Sequence, residues 1–415
     1  MSVPSHRATT ASLQAAYPFI ADGNLGAGGA YIGRDLYGSA FAYDPFLAYD
    51  KRLIGSPNMV VIGQLGRGKS SFVKTYAWRQ LVFGRQVWAL DPKGEYGPLA
   101  AACGVTPFRL RPGGELRLNP LDPGSLAAEE TPRDVLLRQL RLLTSLAEGA
   151  LGRPLRPGEH AACQEALLAV ADRTGVPILP LVVGELLTPA EESAQRVGTQ
   201  ATALAAESRD AALALRRLVW GDLAGMFDGP TTPDLDLSGR VVVLDLSAVR
   251  NSTALGLLMT CATAFLHARL SARDNVKRIV VIDEAWAVLN DLGVARWMQA
   301  SWKLARQYGV QHIAVLHRLS DLDAAGAAGS EQAKLARGLI HDTETRVVYG
   351  QPDSEVPTSQ QMLGLSDTEA RLLPSLGTGV ALWKVGTRSF LVQHRLGRSE
   401  REIIDTDAAM SIKGL

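Results

Sequence analysis

The chain has 415 residues, 47% hydrophobic and 20% charged, enough for one large α/β domain or two ordinary ones and unlike a disordered or fibrous polypeptide. Forty-three Lys and Arg face forty-two Asp and Glu, so the basic excess of a protein that grips duplex DNA is missing, and DNA contact is left only a local basic channel. Cys103, Cys163 and Cys261 have no pairing or metal spacing and read as small buried apolar residues in a reducing compartment.

The N-terminus lacks a charged head followed by an apolar stretch, and no run approaches the roughly 18 apolar residues of a membrane span. The expected location is the cytoplasm, with peripheral docking at the inner face of the membrane allowed. Residues 1–25 are small and polar, an arm or interface strand. The Gly- and aromatic-rich stretch 25–50 carries turn signals throughout and predicts short strands or a hairpin, so that 1–58 form a lead-in. Met59-Val60-Val61-Ile62 is an apolar run of the kind buried on both faces in a parallel sheet. A Gly-rich turn follows, then a helix with Phe72, Val73, Tyr76 and Ala77 on one face, ended by Gly84. Val87–Leu90 is a second buried strand, stopping at Asp91. Arg109 and Arg111 alternate with Phe108 and Leu110 around a further short strand, as an exposed face rather than a DNA track.

Residues 126–228 change character. Leu, Ala and Arg recur at helical spacing in Val135–Ala147, His160–Arg173 and Ala201–Trp220, and the stretch has no lysine. It reads as an all-helical insertion between core segments 59–125 and 229–415. Strand signals return at Val241–Leu246, Ile279–Ile282, Ile313–Leu316 and Arg346–Tyr349. Val380–Val385 and Phe390–His394, joined across Gly386-Thr387-Arg388, predict a closing antiparallel hairpin. Buried strands alternating with helices place the fold in the α/β class with a mainly parallel, doubly wound sheet.

Two motifs carry chemistry. Gly63-Gln64-Leu65-Gly66-Arg67-Gly68-Lys69-Ser70 fits G-x-x-x-x-G-K-[ST] between a buried strand and a helix, and Ser71 lies in the first helical turn. The glycines let successive N–H groups converge on phosphate, and the helix N-terminus adds its partial positive charge. Lys69 would reach the β- and γ-phosphates and the Ser70 hydroxyl would ligate Mg²⁺. Arg278–Ile282 is a strand ending in Asp283-Glu284, where Asp283 would hold Mg²⁺ and Glu284 would orient and deprotonate water. An adjacent catalytic Glu, with no N-K-x-D base-reading motif, favours ATP over GTP and a motor over a switch.

Trp88-Ala89-Leu90-Asp91-Pro92-Lys93-Gly94-Glu95-Tyr96 resembles the D-P-K-G-E-Y signature of the HerA/FtsK superfamily of hexameric ATPases. Asp283-Glu284-Ala285-Trp286 is similar to the Walker B segment of the conjugative type IV secretion ATPases, the VirB-four class. Arg117–Leu121, Gly225–Gly229 and Asp405-Thr406-Asp407 add to the resemblance, which covers roughly 55–410.

It implies a RecA-like P-loop core working as a hexameric ring, with type IV secretion components as partners and possible DNA in a central pore. Arg306, in Ala305-Arg306-Gln307-Tyr308-Gly309, matches the arginine finger that reaches a neighbouring subunit's γ-phosphate, with Arg346 as the fallback. His317 stands where the family has a sensor Gln; it too can donate to phosphate or water, and would make activity pH-sensitive. Asp91, Lys93 and Glu95 would contact magnesium-bound water or the subunit seam, the other reading being a solvated turn. Three functions follow: a secretion motor; a DNA translocase or coupling-type ATPase of the same superfamily; and a poorly hydrolysing assembly switch, favoured only by the missing Gln.

Overall fold

Along each apolar run, alternate side chains enter two different cores. In the computed structural model Val60, Ile62, Leu90, Leu244 and Ile282 join one hydrophobic cluster, while Met59, Val61, Ala89, Val243 and Val281 join another. A strand covered on both faces needs apolar residues at every position, which is why these segments read as unbroken runs. The structure describes residues 25–26, 28–124, 131–233, 235, 237–250, 252, 255–270, 276–285, 292–320 and 331–404. Residues 1–24 of the expected arm (1–25), Trp286 and Asp405-Thr406-Asp407 lie outside them.

The hairpin β1 (Ala30–Asp35) and β2 (Ala40–Tyr43) leads to α1 (Pro45–Asp50), whose first turn is capped by the Asp44 carboxylate accepting from the Phe46 and Leu47 N–H groups. Next come β3 (Met59–Ile62), α2 (Lys69–Gln80), β4 (Gln86–Asp91), α3 (Gly97–Ala102) and β5 (Phe108–Arg109). Among the described residues, five helices follow before β6 (Val241–Asp245): α4 (Pro132–Leu151), α5 (Pro157–Thr174), α6 (Leu179–Leu187), α7 (Glu191–Val197) and α8 (Ala201–Val219). After β6 come α9 (Leu255–Leu270), β7 (Arg278–Ile282), α10 (Leu292–Tyr308), β8 (Val310–Leu316), α11 (Glu331–His341) and β9 (Thr345–Tyr349). The chain continues through α12 (Val356–Leu363), α13 (Asp367–Leu372), β10 (Val380–Val385), β11 (Arg388–His394) and α14 (Glu400–Ile404).

Among the described residues the strands form one sheet, ordered β2-β1-β11-β10-β9-β3-β8-β7-β4-β6-β5. From β9 to β5 all pairings are parallel; β10, β11, β1 and β2 extend the sheet antiparallel. The α/β class, the parallel core and the C-terminal hairpin are as the sequence predicts. Strand β8 starts at Val310, before its apolar run, because polar Gln311 and His312 find partners inside: the Tyr76 hydroxyl donates to Gln311 Oε1 at 2.9 Å, and the His312 N–H donates to Asn58 Oδ1 at 3.0 Å. Helices α4, α5, α6 and α8 bury Leu143, Leu146, Leu167, Val183 and Leu215 in the same cluster as Val60 and Leu244, so their interior is continuous with one sheet face. Cys163 and Cys261 are buried and Cys103 half-buried. Among the described residues no helix is long and apolar enough to cross a membrane.

Candidate active site

The central parallel strands end on one edge, where ligands bind in open α/β sheets. Leaving β3, residues 63–68 curl into the start of α2. Gly68 caps that helix in the left-handed region, at φ 98°, with no side-chain bond to the first-turn N–H groups. Those of Lys69, Ser70 and Ser71 therefore open onto the loop, an arrangement suited to an anion. Gly63 is required for space, because a Cβ there would sit 2.5 Å from the Cβ of Tyr349.

Two neighbouring segments fix the loop. The Gln64 N–H donates to the Gly350 carbonyl at 3.1 Å and the Gly379 N–H to the Arg67 carbonyl at 3.0 Å. The Arg67 guanidinium reaches the Leu376 carbonyl and Gln64 Oε1, both at 3.4 Å, while Leu65 stands exposed at the tip. Lys69 is buried and donates to the Gly63 carbonyl and, at 3.0 Å, to that of Gln64. Burial, helped by repulsion from Lys93, draws its pKa down to about 8 against the pull of Asp283 and Glu284.

Asp283 and Glu284 follow β7 on the same edge. Asp283 is 1% exposed; Oδ1 accepts the Glu284 N–H at 3.0 Å, and Oδ2 is buried with no hydrogen-bond partner among the described residues. Burial pushes its carboxyl above the ordinary range. An orphaned buried carboxylate oxygen is costly unless a cation answers it. Among the described residues no three His, Cys, Asp or Glu gather as a metal cage. A single such oxygen beside a phosphate loop suits Mg²⁺, which takes one or two protein oxygens and completes its shell with water and phosphate.

Glu284 has a left-handed backbone, φ 53°, an unfavourable conformation for a residue with a Cβ. Its Oε1 accepts from His317 Nε2 at 3.0 Å and pairs with the Lys93 ammonium. Burial alone would favour the neutral acid, but the bonds from His317 and Lys93 outweigh it and hold the carboxyl at about 2. His317, directly after β8, therefore lies against Glu284.

The turn after β4 is organised by Asp91. Its Oδ1 accepts the N–H groups of Lys93, Gly94 and Glu95 at 3.2, 2.8 and 3.0 Å, and Oδ2 accepts that of Tyr96 at 2.8 Å. The carboxylate expected to face magnesium-bound water is thus occupied by backbone. Glu95 pairs with the buried Lys74 at 3.2 Å. Of the three residues singled out in this turn, Lys93 reaches Glu284.

The two finger candidates lie elsewhere. Arg306, near the end of α10, donates to the Gly55 carbonyl at 3.4 Å in an open cleft of about 450 Å³ lined also by Ser56, Trp302 and Glu344. This is the edge where the parallel strands begin; β3 alone separates it from the phosphate loop by about 13 Å. Arg346 is half-buried and donates to the Leu363 and His341 carbonyls, at 2.7 and 2.9 Å, at the ends of α12 and α11. It neutralises two helix C-termini within its own chain, so the fallback finger has a local structural use. Sequence reasoning missed the supports Tyr349, Gly350 and Leu376–Gly379; the only signal was Gly377-Thr378-Gly379 ahead of a predicted strand.

No protein-family model and no curated protein matches the chain. Solved structures do. VirB4 of Thermoanaerobacter pseudethanolicus superposes with a TM-score of 0.74 at 20% identity, over 92% of this chain and 100% of that one. The plasmid coupling protein TrwB in complex with ADP and Mg²⁺ gives 0.55 at 15% identity, over 84% and 87%. TrwB with a non-hydrolysable ATP analogue gives 0.54 at 15%, over 82% and 86%. The chain thus has the fold of VirB4 and TrwB, a RecA-like P-loop core, in agreement with the resemblance read from its motifs.

Proposed function

We propose that the chain is a Mg²⁺-dependent ATPase, the motor of a conjugative or type IV secretion-like transfer apparatus. One observation carries the reading: a phosphate loop faces a buried carboxylate with an unanswered oxygen, followed at once by a second carboxylate in a strained backbone. Residues 63–71 bind the phosphates of ATP, with Lys69 moving from the loop carbonyls to phosphate oxygens. Ser70 and Asp283 would hold Mg²⁺, which supplies charge neutralisation at the β- and γ-phosphate oxygens. Glu284 orients water in line with the γ-phosphate and takes its proton. His317 holds Glu284 in place and occupies the sensor position.

Core segments 59–125 and 229–415 carry the site, and 126–228 form the helical insertion. Copies assemble as a ring in which Arg306 of one copy completes the site of the next. The ring works at the cytoplasmic face of a secretion complex, whose components are its partners. Nucleotide and Mg²⁺ in TrwB structures support the cofactor assignment. TrwB has also been solved with a GTP analogue, so preference for ATP rests on the sequence argument above.

The test is ATP turnover against protein concentration, with Mg²⁺ or chelator, beside Lys69→Ala and Glu284→Gln. Wild-type turnover should be Mg²⁺-dependent and fall by about 100-fold or more in both variants, with Glu284→Gln still binding nucleotide. Wild-type turnover no higher than that of Glu284→Gln would sink the motor and favour the assembly switch. Strong stimulation by added DNA would move the reading to a coupling-protein-type translocase, which the TrwB fold match favours.

A further inference from the structure

Two lysines converge on the crevice, and only one is explained by the phosphate loop. Lys93 comes from the turn after β4; its ammonium pairs with Glu284 and lies 3.4 Å from His317 Nε2. It repels Lys69 and is drawn by both Asp283 and Glu284, so it shares their space. Its side chain is 10% exposed. Asp283 and Glu284 offset the repulsion between the two ammonium groups, and a phosphate oxygen between them would do the same.

The backbone beneath Lys93 is fixed. Asp91 holds the Lys93, Gly94, Glu95 and Tyr96 N–H groups, and a Cβ on Gly94 would lie 3.3 Å from Ser247. The turn cannot carry Lys93 away, but a four-carbon side chain can swing its charge by several ångströms. Lys93 and His317 both bond Glu284 Oε1, so that oxygen already has two donors.

We propose that Lys93 reads the γ-phosphate: it exchanges Glu284 for a γ-phosphate oxygen when a triphosphate is bound, and in leaving it opens one approach to Glu284 Oε1 for the attacking water. The inference rests on the ATPase reading above and adds to it the residue that distinguishes a triphosphate from a diphosphate. ADP has no γ-oxygen to offer, so Lys93 stays on Glu284 and contributes nothing to ADP binding. The proton balance is that of hydrolysis: water loses its proton to Glu284, and Lys93 keeps its own throughout.

The experiment measures affinities of wild type, Lys93→Met and Lys93→Arg for ADPNP–Mg²⁺ and ADP–Mg²⁺ by calorimetry, with kcat and KM for ATP. Lys93→Met should weaken ADPNP by about tenfold or more while ADP stays within about threefold, since one charge-assisted bond is lost from the triphosphate alone. Lys93→Arg should recover part of the discrimination. Equal weakening of both nucleotides would mean a structural role and overturn the proposal; so would an unchanged ADPNP-to-ADP ratio in a variant whose thermal melting matches wild type. Failure of the wild type to bind either nucleotide would instead overturn the ATPase reading and the inference with it.

Discussion

The Cα of Gly63 faces Tyr349 across a gap that admits no methyl group, since a Cβ there would approach to 2.5 Å. Tyr349 ends β9, which pairs with β3, so the clash cannot be relieved without parting two strands. Gly63→Ala is therefore expected to cost about 1–3 kcal/mol of stability and to weaken nucleotide binding. Urea denaturation and ADP titration of the same variant check both. The phosphate loop was legible because backbone geometry permits few residue types there: Gly where the chain crowds or turns left-handed, Lys and Ser where phosphate and metal would need them. Asp283-Glu284 was legible for a similar reason, as two carboxylates at the end of an apolar strand. The roles inside D-P-K-G-E-Y were not. Whether a carboxylate faces a metal or four N–H groups depends on how the turn closes, and the partner of Lys93 comes from a strand distant in sequence.

At the scale of elements, the short helix α13 shows how the antiparallel end of the sheet is held. Ser366 and Glu369 form a capping box, and Glu369 also binds Lys384 of β10 at 3.0 Å and accepts from Ser389 of β11. Burial would raise the Glu369 pKa, but the Ser389, Ser366 and Lys384 bonds outweigh it and hold it at about 2, below the ordinary 4.5. A depressed folded-state pKa contributes stability that is fully present above about pH 4.5 and is lost as pH falls towards 2. Glu369→Gln should thus lower stability by about 1 kcal/mol at pH 7, after allowance for solvent screening, and by almost nothing near pH 2. Thermal melts at pH 7 and pH 3 would show the difference shrinking. The hairpin itself was legible from Gly386-Thr387 between two apolar runs. Helices α6 and α7 were not: LPLVVGELL carries a β-branched pair that fits strand as well as helix, and EESAQRV is too short and polar for periodicity.

For the whole molecule, Arg306 and the phosphate loop sit on opposite edges of the parallel strands. An arginine so placed can serve hydrolysis only in another copy. Arg306→Ala should lower turnover while leaving ADP affinity unchanged, and mixing Arg306→Ala with Lys69→Ala protein should restore part of it. Mixed seams then pair an intact loop with an intact arginine; no recovery on mixing would leave Arg306 as a surface residue.

The strand order has one more consequence. β3, which carries the phosphate loop, is flanked by β8 and β9, with Val60 opposite Ala314 and Arg346. β1 waits still longer, for Gly33 pairs with His394 of β11. During synthesis the loop therefore emerges early on a strand with both edges open, and has both its neighbours only after the ribosome has passed residue 349. Nucleotide cannot stabilise the nascent chain before then, and a molecule cut short ahead of β9 keeps its GxxxxGKS sequence without a phosphate site. On the proposed reading, nucleotide binding would wait until β9 has been made, so that chains cut short before it would take no part in a nucleotide-dependent assembly.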